Sequence, residues 1–391
     1  MEAYSQTPVL KVDIDAHMNR KLSEVNEPGY VSWRITSAPS TITIDGITFS
    51  LKNGSVEDAW YKVSVMPPYY ARLVGDGIKT SSIELHITGL QQGTHSLGTI
   101  HNMTSNPDKY VFSPIDIYID NNLVVDDLEA SIRVLSNDEG QTAFMEFDVE
   151  TGDTVVFRFK SDPEPSSTTD LIQINGFYLN KADPKKMPRS PYPADQDEHV
   201  DIDSDTLVHR WKSPANAVSF NIYAGTNESD VISADTVTPQ FLGNVTDTFY
   251  IRTGFYSMDS NFWRVDPVDT GGIVTKGDVW YFKKRIRAFP EAEGYGGYAI
   301  GGRGGKVVYV TNLNSDGPGS FYHAAKEIDG PRTILFAVSG LITLNDRLVI
   351  NDAYVTVAGQ SAPGKGVCFR WAPIGVTGDD MIVQNVRMRL G

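Results

Sequence analysis

Ala288-Phe289-Pro290-Glu291-Ala292-Glu293-Gly294-Tyr295-Gly296-Gly297, then Gly301-Gly302-Arg303-Gly304-Gly305-Lys306-Val307, opens the stretch of the 391-residue chain whose reading decides the fold. After this glycine-dense entry, Ser320 is placed to cap a short helix. Phe321, Ala324, Ala325 and Ile328 follow at i, i+3, i+4 and i+7, the spacing of one buried face. Short apolar strands come next, at 333–338, 347–350, 354–357, 367–370 and 381–388, each bounded by turn residues. No helix separates them, so they are not βαβ units. They read as the first coils of a parallel β-helix, each burying its inward residues against the next, with the helix covering the open strand edges at one end.

The residues before this stretch are also strand-rich. Thr41-Ile42-Thr43-Ile44, Ile47/Phe49/Leu51, Leu85/Ile87, Ile115/Ile117/Ile119, Met145/Phe147/Val149 and Val155/Phe157/Phe159 alternate with period two, as strands with one buried face require. Asp45-Gly46, Asn53-Gly54, Asp76-Gly77 and Thr151-Gly152-Asp153 supply turn chemistry between them. Residues 1–183 therefore read as a β-sandwich of jelly-roll type, closed by one strand at 171–177. Pro184, Pro188, Pro191 and Pro193 fall in a charged stretch that reads as an extended, poorly packing linker. Within 184–287, Trp211, Trp263 and Trp280 sit among short strands and read as the core of an immunoglobulin-like sandwich. The chain is all-β in three parts: 1–183, 184–287 and 288–391.

The third part resembles the opening of bacterial pectate lyases of the parallel β-helix type. The likeness runs through the two motifs quoted above. It continues through Val310-Thr311-Asn312-Leu313-Asn314-Ser315-Asp316-Gly317-Pro318-Gly319-Ser320, Gly330-Pro331-Arg332-Thr333-Ile334, Val338-Ser339-Gly340, Val357-Ala358-Gly359-Gln360-Ser361-Ala362-Pro363-Gly364 and Ile382-Val383-Gln384-Asn385-Val386-Arg387. One departure is Tyr322-His323, where the family often carries Arg-Asp. Trp263-Arg264-Val265-Asp266 and Gly277-Asp278-Val279-Trp280 resemble fibronectin type III modules, and 89–97 with His101-Asn102 and 115–118 resembles accessory modules placed ahead of similar lyases.

The resemblance implies a right-handed helix and a secreted, modular enzyme that cleaves pectate (polygalacturonate) in the plant cell wall by calcium-assisted β-elimination. Carboxylates on one helix face would hold the calcium and an arginine would act as base. In the family those residues follow the coil matched here by 381–389, so no catalytic residue is carried over. They are expected beyond Gly391, in a chain read as truncated, and the chain itself is expected to be inactive. Asp379 and Asp380 read as turn residues rather than metal ligands, Arg387 and Arg389 as solvated, and Asn385 as part of a ladder at a coil corner. Pectin or another uronate is the alternative substrate; a non-catalytic, adhesin-like glycan binder on a β-helix stalk is the alternative function.

In the first sandwich, Trp60, Tyr61, Tyr69 and Tyr70 lie in loop-like sequence near prolines and could stack on sugar rings, with His95, His101 and Asn102 as hydrogen-bonding partners. The net charge of −15 rests entirely on residues 1–287, because 288–391 holds 9 basic and 9 acidic residues. An acidic front disfavours nucleic acid, anionic membranes and bare polyuronate, and favours a neutral wall glycan such as a galactan or arabinan side chain. The single cysteine, Cys368, excludes a disulfide framework. No stretch is apolar for the ~20 residues a membrane span needs. The start carries no signal-peptide pattern, so an export signal is expected upstream. The glycines at 294–305 do not bind nucleotide: no strand precedes them, and Lys306 lacks a following Ser or Thr.

Overall fold

The protein is seen in a computed structural model that describes residues 9–15, 22–61, 71–255 and 259–389. It forms two compact units, Met1–Lys283 and Lys284–Gly391.

The first unit holds two sandwiches. In the first, one six-stranded sheet runs Asn122–Leu128, Ile115–Ile119, Thr154–Ser161, Ser82–Thr88, Ile47–Lys52, Ser40–Ile44. The facing sheet is built on the long strand Gly93–Met103, flanked by Gln141–Val149 and Gly176–Leu179, the latter pairing with Leu10–Asp13. The period-two residues meet between the sheets: Phe49, Leu85, Ile87, Ile117, Phe147, Phe157, Phe159 and Phe177 are all buried in one core. Asp45 and Gly46 both take positive φ (49° and 83°), so the hairpin pairs Ile44 with Ile47 through a turn whose twist matches its strands.

Two local expectations change. Asp76-Gly77 is not a turn but the start of a strand, Asp76–Thr80, whose close approach to Ile174 leaves no room for a Cβ at Gly77. The single strand expected at 171–177 is two, Ile172–Ile174 and Gly176–Leu179, in different sheets. Asn175 marks the break, and its side chain donates to the carbonyls of Asp76 (2.5 Å) and Asn102 (3.2 Å).

The proline-rich segment is packed rather than loose. Asp183 caps a short turn that starts at Pro184, Met187 is buried, and Lys181 pairs with Asp278 at 2.8 Å. Pro191 lies in Arg189–Tyr192, an edge strand, where a missing N–H costs no ladder bond. The second sandwich sets this strand with Thr206–Lys212 and Phe249–Thr253. Its other sheet contains Asp197–Val200, Val279–Lys284, Ser260–Asp269, Ala217–Gly225 and Phe241–Val245. Trp211, Trp263 and Trp280 are core. Arg264 is buried too: its guanidinium holds both oxygens of Asp266 (2.9 and 3.0 Å) and the carbonyls of Ile232 and Ala234.

The second unit is a parallel β-solenoid. Four strands stack on one face (Lys306–Val310, Arg332–Phe336, Val355–Ala358, Ile382–Gln384), three on another (Gly340–Thr343, Val367–Arg370, Arg387–Arg389) and two on a third (Leu348–Ile350, Ile374–Val376). Every pairing is parallel, and like residues stack, as with Ile342, Phe369 and Met388. The segment 381–388, read as one strand, bends at Asn385 (φ 55°) and contributes to two faces; Asn385 itself is exposed at the corner. Ser320 Oγ accepts from the His323 N–H (3.1 Å), and Phe321, Ala324 and Ala325 enter the solenoid core, although most of this short helix is wound as a π-helix, His323–Glu327.

Arg332 ties the helix to the coils. Wholly buried, it donates to the carbonyls of Ala324 and Ala325 (both 2.7 Å), to Gly330 (2.8 Å) and to the Asp352 carboxylate (2.7 Å). The glycines behave as space-makers: a Cβ at Gly302 or Gly305 would lie 2.0–2.1 Å from the carbonyl oxygen of Arg332 or Pro331.

Candidate functional site

The proposed sugar platform of the first sandwich divides on inspection. Tyr69 and Tyr70 lie outside the described residues. Trp60 and Tyr61 are half-buried at the end of the edge strand Glu57–Trp60, and Arg133 covers one face of the Tyr61 ring at 4.0 Å. His95, His101 and Asn102 are buried, and their polar atoms are committed internally. His95 bonds Asn180 (2.9 Å) and the Gln91 carbonyl (2.8 Å), while His101 bonds Thr99 (2.8 Å) and the Gln173 carbonyl (2.9 Å). Burial lowers His101 to a pKa of about 4, so it is neutral. Asn102 donates to the Val74 carbonyl and accepts from Ser131. These three set strand register; none presents a group to a glycan.

Between the two sandwiches lies a polar cleft of about 440 Å³ that includes Glu27, Tyr30, Asp138, Tyr178 and Asp195. Burial raises Asp195 to about 7, against the opposing hydrogen bond from the Tyr281 N–H (2.9 Å). Lys11, Lys181, Arg189 and Lys283 line the same cleft, and two of its acids are paired there, Asp278 with Lys181 and Glu198 with Lys283, so its charge is mixed.

The solenoid differs in character. A groove of about 520 Å³ runs over its three-stranded face, bounded by Gly340, Leu341, Lys365, Cys368, Arg387 and Arg389. No carboxylate lines it. Strand alternation turns Ile342, Phe369 and Met388 to one side and leaves Arg387 and Arg389 exposed on the other, with Arg389 opposite Arg370 on the neighbouring coil. Beside Arg370, Trp371 is 70% exposed and holds φ 81°, an uncommon conformation for a bulky residue. Guanidinium groups facing outward at coil spacing can grip carboxylates, and an open indole can stack on a sugar face. Trp371 drew no attention in the sequence because it stands alone between Arg370 and Ala372. Arg387 and Arg389 read as ordinary solvated residues; only the fold shows that they share a groove with Lys365.

Among the described solenoid residues, carboxylates do not gather into a calcium site. Among the described residues, carboxylates gather in threes only in the first unit, at Asp13/Asp15/Asp76 and at Asp116/Asp126/Asp127. Asp380 instead serves the fold, its carboxylate accepting from the Ile300 N–H (2.8 Å). Asp352 is held by Arg332.

The fold and these surfaces define a modular all-β chain with two sandwiches and a parallel β-solenoid. Part of it is homologous to pectate lyases. A 109-residue stretch, 27% of this chain, is 47% identical to 25% of the probable pectate lyase C of Emericella nidulans. A 105-residue stretch, 26% of this chain, is 34% identical to 22% of the probable pectate lyase 5 of Arabidopsis thaliana. The chain thus spans about a quarter of the length of the curated relatives it matches. No protein-family model matches it. Among solved structures, an Fn3-like protein from Clostridium thermocellum is 17% identical and aligns over 26% of this chain and 95% of its own, with a TM-score of 0.19, too slight a likeness to build on. No described helix is long and apolar enough to cross a membrane.

Proposed function

We propose that this chain is part of an exported, modular polysaccharide lyase that acts on pectate by β-elimination. The observation that carries the reading is the 47% identity to a probable pectate lyase over 109 residues. The groove at Lys365, Arg387 and Arg389 supports it, since a polyuronate is a string of carboxylates and this face offers cations without competing acids. Elimination removes the proton at C5, beside the uronate carboxylate, as O4 departs. Calcium remains the expected cofactor of the complete active site, but the described solenoid residues do not fit a calcium site, so no step is routed through one. By the same reasoning the 391-residue chain is inactive on its own. The sandwich unit is an accessory body whose acidity directs it to neutral wall glycans, with Trp60 and Tyr61 as contacts.

The test is a chimera in which residues 288–391 replace the matching stretch of a pectate lyase. It should release unsaturated uronide, read by ultraviolet absorbance, and stop in chelator. The 391-residue chain alone should release none. A folded chimera that binds polygalacturonate without cleaving it would overturn the lyase reading in favour of a glycan-binding stalk.

A further inference from the structure

Asp13, Asp15 and Asp76 meet in the first sandwich, and all three are at most 1% exposed. Asp13 ends the strand Leu10–Asp13 and Asp15 follows at i+2, so alternation turns both to one side. Asp76 arrives from the start of its own strand. Its backbone is fixed there by Asn175 and Gln173, whose side-chain amides donate to the Asp76 carbonyl at 2.5 and 3.2 Å. One carboxylate oxygen from each residue lies within 4.8 Å of the others.

Hydrogen bonding does not account for this crowding. The Glu27 N–H donates to Asp13 Oδ2 (2.6 Å), and Ser32 Oγ donates to Asp15 Oδ2. Asp13 Oδ1, Asp15 Oδ1 and both oxygens of Asp76 have no partner. Burial, then mutual repulsion, pushes Asp13 and Asp76 well above the usual carboxylate range. Arg34 and Arg72 offset the repulsion only in part, and Glu27 adds to the negative charge around Asp13. Three buried carboxylates, compensated only in part, would together cost several kcal/mol if ionised. Protonation would create three hydroxyls that each need an acceptor. One divalent cation meets the requirement at once.

We propose that Asp13, Asp15 and Asp76 form a calcium-class cation site that cements the first strand to the segment entering at Asp76. Three oxygens within 4.8 Å of one another can close on a single cation, and calcium, with its 2.3–2.6 Å bonds and flexible coordination, fits that spacing better than a smaller ion. Magnesium is disfavoured because it demands near-octahedral ligands and sheds its waters reluctantly. The site belongs to the sandwich unit and the groove to the solenoid, so the proposal stands apart from the lyase reading.

The experiment is a calorimetric titration of calcium into the metal-free 391-residue chain, without glycan, alongside thermal unfolding. The parent should bind one calcium at this site and unfold at a higher temperature with it. Asp76→Asn should weaken the affinity at least tenfold and lose the thermal shift. If circular dichroism shows that variant misfolded, Asp13→Asn and the parent titration decide. A folded parent with no heat of binding and no calcium-dependent shift overturns the proposal, as does an Asp76→Asn variant that binds calcium like the parent. An equal response to magnesium overturns the calcium assignment.

Discussion

The solenoid and the first sandwich bury carboxylates in opposite ways, while the second sandwich, with Arg264 holding Asp266, behaves like the solenoid. In the solenoid, Asp352 meets a guanidinium supplied by the chain: Arg332 spends its remaining donors on three carbonyls, so the pair and its surroundings are satisfied. In the first sandwich, Asp13, Asp15 and Asp76 meet one another, and four of their oxygens have no partner. The contrast teaches where the −15 charge is tolerated. The solenoid is neutral by composition and pairs its buried acid internally, whereas the first sandwich relies at Asp13, Asp15 and Asp76 on raised proton affinity or on a cation from solution.

The largest expected effect is at the internal pair. Arg332→Met should destabilise the solenoid by about 3–5 kcal/mol in urea unfolding, because it strands Asp352 in the interior. Replacing Asp352 as well, in Arg332→Met with Asp352→Leu, should recover much of that loss. Equal losses in the single and double variants would show that the carbonyl bonds, not the charge pairing, hold the cap.

A second test uses Asp195. Its folded pKa, about 7, exceeds the ordinary 3.8, so its contribution to stability is complete below the lower value and fades as pH rises through 7. Unfolding of the sandwich unit should therefore weaken by about 1–3 kcal/mol between pH 5 and pH 8. Asp195→Asn can still accept from the Tyr281 N–H and should flatten that part of the profile. A parent curve that rises across this window would show that burial does not raise Asp195.

Much of this architecture was legible in the sequence, and the limits were physical. Period-two alternation located the sandwich strands because each has one dry face, and the Asp45-Gly46 turn set a hairpin register. The solenoid was legible through its glycines and short strands, but three strands, Lys306–Val310, Gly340–Thr343 and Ile374–Val376, were not; they bury one residue, one residue and none, so they carry no alternating dry face to read. Asp76-Gly77 and Asn175 misled for a common reason. Turn-forming residues were serving instead as a buried carboxylate, a close backbone approach and an amide that pins Asp76. The candidate binding residues fared unevenly because polarity does not reveal burial: His95, His101 and Asn102 bond inward, while Arg387 and Arg389 gather only once coils are stacked.

The smallest expected effect lies at Trp60 and Tyr61. Trp60→Ala with Tyr61→Ala should weaken retention of a neutral galactan in affinity electrophoresis by about 1 kcal/mol while leaving polygalacturonate unretained by the sandwich unit. Strong calcium-free retention of polygalacturonate that survives Arg387→Gln with Arg389→Gln would reverse the roles assigned to the two units.

The most direct test of the contrast is terbium luminescence excited through tryptophan, since terbium stands in for calcium. Trp33 lies beside the carboxylates in space, its backbone N–H donating to the Asp13 carbonyl (2.8 Å) and its own carbonyl accepting from the Asp15 N–H (3.1 Å). Sensitised emission should appear on adding terbium to the metal-free chain, fall on adding calcium, and be absent in Asp76→Asn. Emission that persists unchanged in Asp76→Asn, or no emission from the folded parent, would contradict the view that the sandwich draws its missing positive charge from solution.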